Sequence, residues 1–98
     1  MALLDRFNPT AQNRLAVHDF GAAMHLVHDG IITKAQLVQY FQLSAQEEAQ
    51  LDLLVAVYVT KPNAAAKLSY IVRVQSVLVL FESGKIDQST VAQFLELS

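Results

Sequence analysis

The stretch VHDGIITKAQLVQYFQLS, residues 27 to 44, returns as FESGKIDQSTVAQFLELS at residues 81 to 98, a fixed offset of 54. Gly30 matches Gly84, Ile32 matches Ile86, Gln39 matches Gln93 and Leu43 matches Leu97. Each copy spells a tight corner between two helices. A glycine at the end of a helix takes the left-handed conformation that closes it. Thr33 can then cap the next helix, with Gln36 completing a capping box, and Asp87 takes that cap role in the second copy. Ile32 precedes the cap and Leu37 lies inside the helix, the spacing of a hydrophobic staple. Ile86 and Val91 repeat it. Agreement of caps, staple and apolar positions points to duplication, or to one corner design used twice.

The first corner also has the outline of half a calcium loop. With Gly30 at the sixth loop position, Ile32 falls at the eighth and Asp29 at the fifth. The first, third and twelfth positions are then His25, Val27 and Gln36. One carboxylate is too few for an ion that takes six to eight oxygens, so the corner reads as structural.

Around the corners, the chain reads as five helices. The first is expected from about Pro9 to His28, with Asn8 as cap and proline at the first helical position. Its stripe Val17, Phe20, Met24 and Val27 continues to Ile31 at helical spacing. The second covers Lys34 to Gln42. Ser44, with Glu47 closing a capping box, opens a third that buries Leu51, Leu54, Val55 and Tyr58 and ends near Thr60, before Pro62. Asn63 caps a fourth, Ala64 to Ser83, and the fifth runs from Gln88 to Glu96. VAVYVT and YIVRVQSVLVLF are β-branched enough to suggest strands. Ile71, Val74, Leu78 and Phe81, however, lie 54 residues after the first stripe. Burying such side chains is worth roughly 1.5–3 kcal/mol each, which outweighs a weak propensity. The expected fold is therefore all-α: a small helical bundle of about five helices, in one domain spanning residues 1–98.

Composition excludes several function classes. With no cysteine there is neither a disulfide framework nor thiol chemistry. MALLDRFNPT lacks the basic-then-apolar order of a secretion signal, and LLVAVYV is far shorter than a membrane span. A net charge of −2 and seven scattered basic residues argue against nucleic acid as a partner. Read as a DNA-recognition helix, KAQLVQYFQ has one basic residue. With three glycines there is no phosphate-cradling loop, and the serines lack a nucleophile-elbow context. No enzyme activity, cofactor or metal site is expected. Apolar residues, at 53%, exceed and charged residues, at 16%, fall short of globular averages of about 45–50% and about 25%. That excess points to apolar side chains at an interface.

Comparing the copies locates that interface. The second face of the first helix reads Arg14, His18, Gly21, His25 and His28; the fourth helix has Leu68, Val72, Gln75, Val79 and Glu82 there. A helix apolar on two sides is buried on two sides. Either the third helix covers that second face, with the last helix packing back on the bundle, or another subunit does; for the latter the candidate contacts are Leu68, Val72 and Val79. Leu95 and Leu97 join them, since the sequence provides no helix after the second corner like the one after the first. Arg14, His18, His25 and His28 form a possible second surface, polar and solvated. Gly30, Ile32, Thr33, Gly84, Ile86 and Asp87 are assigned to the corners.

The segment DGIITKAQLVQYFQLSAQEEAQLDLLVAVY resembles small helical proteins encoded in the structural gene modules of tailed bacteriophages. These include head–tail connector subunits and tail-assembly proteins. The likeness is carried by a short helix ending in Phe41-Gln42-Leu43, the Ser-capped acidic turn SAQEE and the helix LDLLVAVY, about a third of the chain. It implies a non-enzymatic homo-oligomer, located in the host cytoplasm or the virion, that forms rings or docks on other virion or assembly proteins. A small adaptor or inhibitor binding a host protein through the Arg14–His28 face is the alternative, and a DNA-binding regulator a third.

Overall fold

Local side-chain chemistry opens four of the helices. The computed structural model describes residues 2–12 and 15–97. In it the chain forms α1 (Ala2–Asp5), α2 (Val17–His28), α3 (Lys34–Phe41), α4 (Ala45–Val59), α5 (Ala64–Glu82) and α6 (Gln88–Phe94), with no strand among the described residues. Thr33 and Gln36 close a reciprocal capping box on α3, and Ser44 and Glu47 close another on α4. Asn63 accepts from the Ala66 amide to open α5, and Asp87 accepts from that of Thr90 to open α6. The amide and hydroxyl of Thr90 hold the Asp87 carboxyl below its ordinary pKa.

The left-handed residues come in two pairs, each separated by 54: Gly30 with Gly84, at φ 76° and 75°, and Gln42 with Glu96, at φ 54° and 61°. All four make the same closure. After α2, the Gly30 amide donates to the Val27 carbonyl and the Ile31 amide to that of Leu26. After α5, Gly84 donates to Phe81 and Lys85 to Leu80. Gln42 and Leu43 repeat this with Gln39 and Val38, and Glu96 and Leu97 with Gln93 and Ala92. This double bond pattern satisfies carbonyls that a helix end leaves free.

The helix expected from Pro9 starts instead at Val17. Asn8 does not cap a helix; its Oδ1 accepts from the amide and hydroxyl of Thr10, closing a turn around Pro9. The Leu15 amide then donates to the Arg6 carbonyl at 2.7 Å, folding the chain back. The sequence reading also assigned no helix to α1, which buries Leu3, Leu4 and Phe7. Phe7 meets Phe20 edge-on at 5.3 Å, and Phe20 meets Phe41 at 5.8 Å. Arg6 reaches the Phe41 carbonyl and Glu47, which is buried in its capping box, so α1 is tied to the start of α4.

The β-branched segments VAVYVT and YIVRVQSVLVLF are helical apart from Thr60, at the end of α4. Val17, Phe20, Met24, Ile71, Val74, Leu78 and Phe81 are buried as expected, with Val27 partly so, and Leu51 and Leu54 are buried on α4. Ile31 departs from its stripe and is exposed, because the chain has already turned at Gly30. The main packing is α5 against α2, with α4 and α6 also against α5, α3 against α2 and α1 against α4.

Leu95, expected at an interface, is 1% exposed. Its carbonyl accepts the Tyr70 hydroxyl at 2.8 Å, and its side chain joins Leu3, Leu4 and Phe7. Leu97 is half-buried in the same cluster. The unanticipated α1 lies beside both, so Leu95 is not free to meet another subunit, while Leu97 stays partly exposed.

Two outcomes follow for stability. Left-handed conformation costs an L-residue roughly 1–2 kcal/mol, so Gln42→Gly should stabilise by about 0.5–1 kcal/mol, while Gly30→Ala destabilises by about 1 kcal/mol; urea unfolding reads both. Burial, with Glu96 nearby, raises the Tyr70 pKa to about 12. The unfolded phenol ionises near 10. Between pH 10 and 12 the unfolded state therefore loses the proton first, and stability falls with rising pH. Tyr70→Phe should flatten that fall at the cost of about 1 kcal/mol at neutral pH. An unchanged alkaline slope in the variant would sink the assignment.

Candidate functional site

Helix α5 packs on α2, α4 and α6, yet one of its faces stays half-exposed, although Gln75 on it packs on Gly21 and Val79 borders Val17 and His18. Leu68, Val72 and Val79 lie on that face at 40%, 47% and 50% exposure, interleaved with the exposed Ser69, Ser76 and Ser83. Between Lys67 and Glu82 the only charged residue is Arg73. Its Nη1 lies 3.1 Å from Glu96, which Lys61 also contacts at 2.8 Å. These cations, the Lys61 ammonium foremost, hold the Glu96 carboxyl below its ordinary pKa. Among the described residues α5 is the one helix long and apolar enough to cross a membrane, and a third of its most apolar window is buried within the fold. Three of the five predicted contacts, Leu68, Val72 and Val79, are thus brought onto one outward stripe.

The possible second surface is divided. Arg14 lies outside the described residues. His18 is exposed, with its Nε2 3.1 Å from Asp19. His25 and His28 are half-buried rather than solvated. The Nε2 of His25 donates to Gln75 Oε1 at 3.1 Å, since that oxygen can only accept. The Nδ1 of His28 lies 2.6 Å from the Tyr58 hydroxyl, with the rings edge to face. Burial, then the charge of Asp29, raises the Tyr58 pKa. Helical spacing put the three histidines on one stripe, but α5 and α4 pack against two of them.

Gly21 explains how α5 comes so close. A Cβ there would stand 2.3 Å from the Gln75 Nε2 and 2.6 Å from its Cγ. Gln75 fills that space and reaches His25 from it. Gly21 and Gln75 are themselves 54 residues apart, so α2 and α5 meet at matching positions of the two copies.

Two further spaces border the bundle. A cavity of about 30 Å³ lies among Met24, Leu51, Leu54 and Ile71, beside His28 and Tyr58. That is room for a water molecule or two and no organic ligand. An open cleft of about 360 Å³ runs between α2 and α3, past Asp19, Leu26, Ile32 and Tyr40. The sequence reading missed Leu26 and Tyr40, although both have apolar counterparts in the repeat, Leu80 and Phe94. Among the described residues no group of three His, Asp or Glu side chains is placed to hold a metal ion.

No protein-family model, curated protein or solved structure matches the chain.

The Gly21–Gln75 contact has a measurable consequence. Gly21→Ala alone should destabilise, because Gln75 must move and release His25. In a Gln75→Ala background the same change should stabilise by up to about 1 kcal/mol, the helix preference of alanine over glycine. Additive effects in this double-mutant cycle would contradict the close contact.

Proposed function

We propose that the protein is a non-enzymatic structural or assembly subunit of a phage particle, acting as a homo-oligomer in the host cytoplasm or the virion. The observation that carries this reading is the outward stripe Leu68, Val72 and Val79 on α5. The fold already has a complete core without it, from Phe7 and Phe20 through Tyr70 and Val74 to Leu95. A charge-poor apolar stripe along the central helix is what a subunit contact requires, because its burial between chains gains roughly 25 cal/mol per Å². The likeness of residues 29–58 to phage structural-module proteins supports the setting. The adaptor alternative is weaker, since two of its three histidines are already hydrogen-bonded to Gln75 and Tyr58.

Light scattering behind a sizing column tests the surface. The wild-type protein should exceed its chain mass of 10.8 kDa. Val72→Glu with Val79→Glu should lower the assembled mass while the helical circular dichroism stays the same, since both positions are exposed. A well-folded double variant with the wild-type mass would remove this stripe from the reading.

A further inference from the structure

The first corner also builds an outward cleft, and the second places matching residues on its own outward surface. The cleft is lined by Asp19, Ala22, Leu26, Ile32, Gln36 and Tyr40. An offset of 54 turns these into Arg73, Ser76, Leu80, Ile86, Thr90 and Phe94. Apart from Gln36, exposed where Thr90 is partly buried, the two sets share their burial class as well as their places on the helices. Leu26 and Leu80 are 38% and 37% exposed. Tyr40 and Phe94 stand out at 77% and 52%. Ala22 and Ser76 are exposed, and Ile32 and Ile86 are partly buried. The residues beneath, Ala23 with Leu37 and Val77 with Val91, are buried in both.

The charge at the rim differs. The cleft carries Asp19, the second corner Arg73. Asp19 is 58% exposed, and its one charge-capable neighbour among the described residues is His18. Arg73 is 47% exposed and shares Glu96 with Lys61, so it can turn away without leaving that carboxylate unpaired. Two surfaces of one apolar design thus carry opposite charge.

We propose that the occupant of this cleft is a second copy of this chain: the α2–α3 cleft of one subunit receives the exposed α5–α6 corner of the next. Pairing like corners would bring two carboxylates or two guanidiniums into one apolar contact, and pairing unlike corners brings one of each. Leu26, Ile32 and Tyr40 would then bury against Leu80, Ile86 and Phe94. Each subunit uses both faces, so the contact is head-to-tail and generates a ring or an open chain. This rests on the self-association proposed above and adds to it a second contact, with a direction.

The test uses the full chain carrying Val72→Glu and Val79→Glu, which removes the α5 stripe and leaves the corner surfaces to be read alone. By light scattering this protein should still exceed 10.8 kDa. Tyr40→Asp or Phe94→Asp, added singly, should each reduce it to single chains. Mixed one to one, those two variants should form pairs and nothing larger, because each supplies the corner surface that the other lacks. Either variant dimerising by itself would show pairing of like corners and overturn the proposal. So would a mixture that stays monomeric, or a stripe variant that is already monomeric. As a second check, Asp19→Arg and Arg73→Asp should each weaken association roughly fivefold, and the two combined should restore it. No recovery would count against the charge pairing. A wild-type protein that is monomeric at every concentration would end both proposals. Loss of assembly only in the stripe variant would end this one alone.

Discussion

The structure turns on the contact between α2 and α5. Gly21 has no side chain, and Gln75 occupies the space where one would be. This lets the two stripes headed by Val17 and Ile71 face each other, and the remaining helices pack around that centre. His25 then finds the Gln75 oxygen. One glycine on α2 therefore sets the approach of the central pair and also takes a histidine out of solvent. Buried polar groups need such partners, since an unmet donor in an apolar setting costs about 1–3 kcal/mol.

The corners fix where the short helices go. A left-handed residue ends each long helix, a side-chain cap starts the next, and the short helix returns across its partner. Because α3 follows α2 and α6 follows α5 through the same geometry, each corner leaves an aromatic and a leucine outside a buried floor. The chain is not symmetric in its coverage, however. Around the first corner α4 and α3 bring Tyr58 and the Lys34–Glu48–Asp52 ion pairs to the bundle. Around the second, α1 lies beside Leu95 and Leu97. The outward side of α5 stays half-exposed at Leu68, Val72 and Val79.

Each histidine pairs with an Asp, a Gln or a Tyr. The cavity of about 30 Å³ beside His28 and Tyr58 has no room for an organic ligand. What remains is apolar area with a little charge at its rim, which suits recognition of another folded chain.

Much of this was written in local sequence. Gly30, Thr33, Gly84 and Asp87, with the boxes of Gln36 and Glu47, determined the corners, because caps and left-handed closures depend on residues within one turn of each other. The spacing of Phe20, Met24, Val74 and Leu78 likewise determined which faces turn inward, since helical periodicity is local. Three matters were decided only by tertiary structure. Asn8 and Pro9 serve a turn as readily as a helix start, and the burial of Phe7 against Phe20 selected the turn. Leu95 reads as exposed until α1, distant in sequence, lies over it. His25 and His28 read as a solvated stripe until Gln75 and Tyr58 arrive from other helices. In each case the deciding contact joins residues from different elements, and no local pattern encodes which elements will meet.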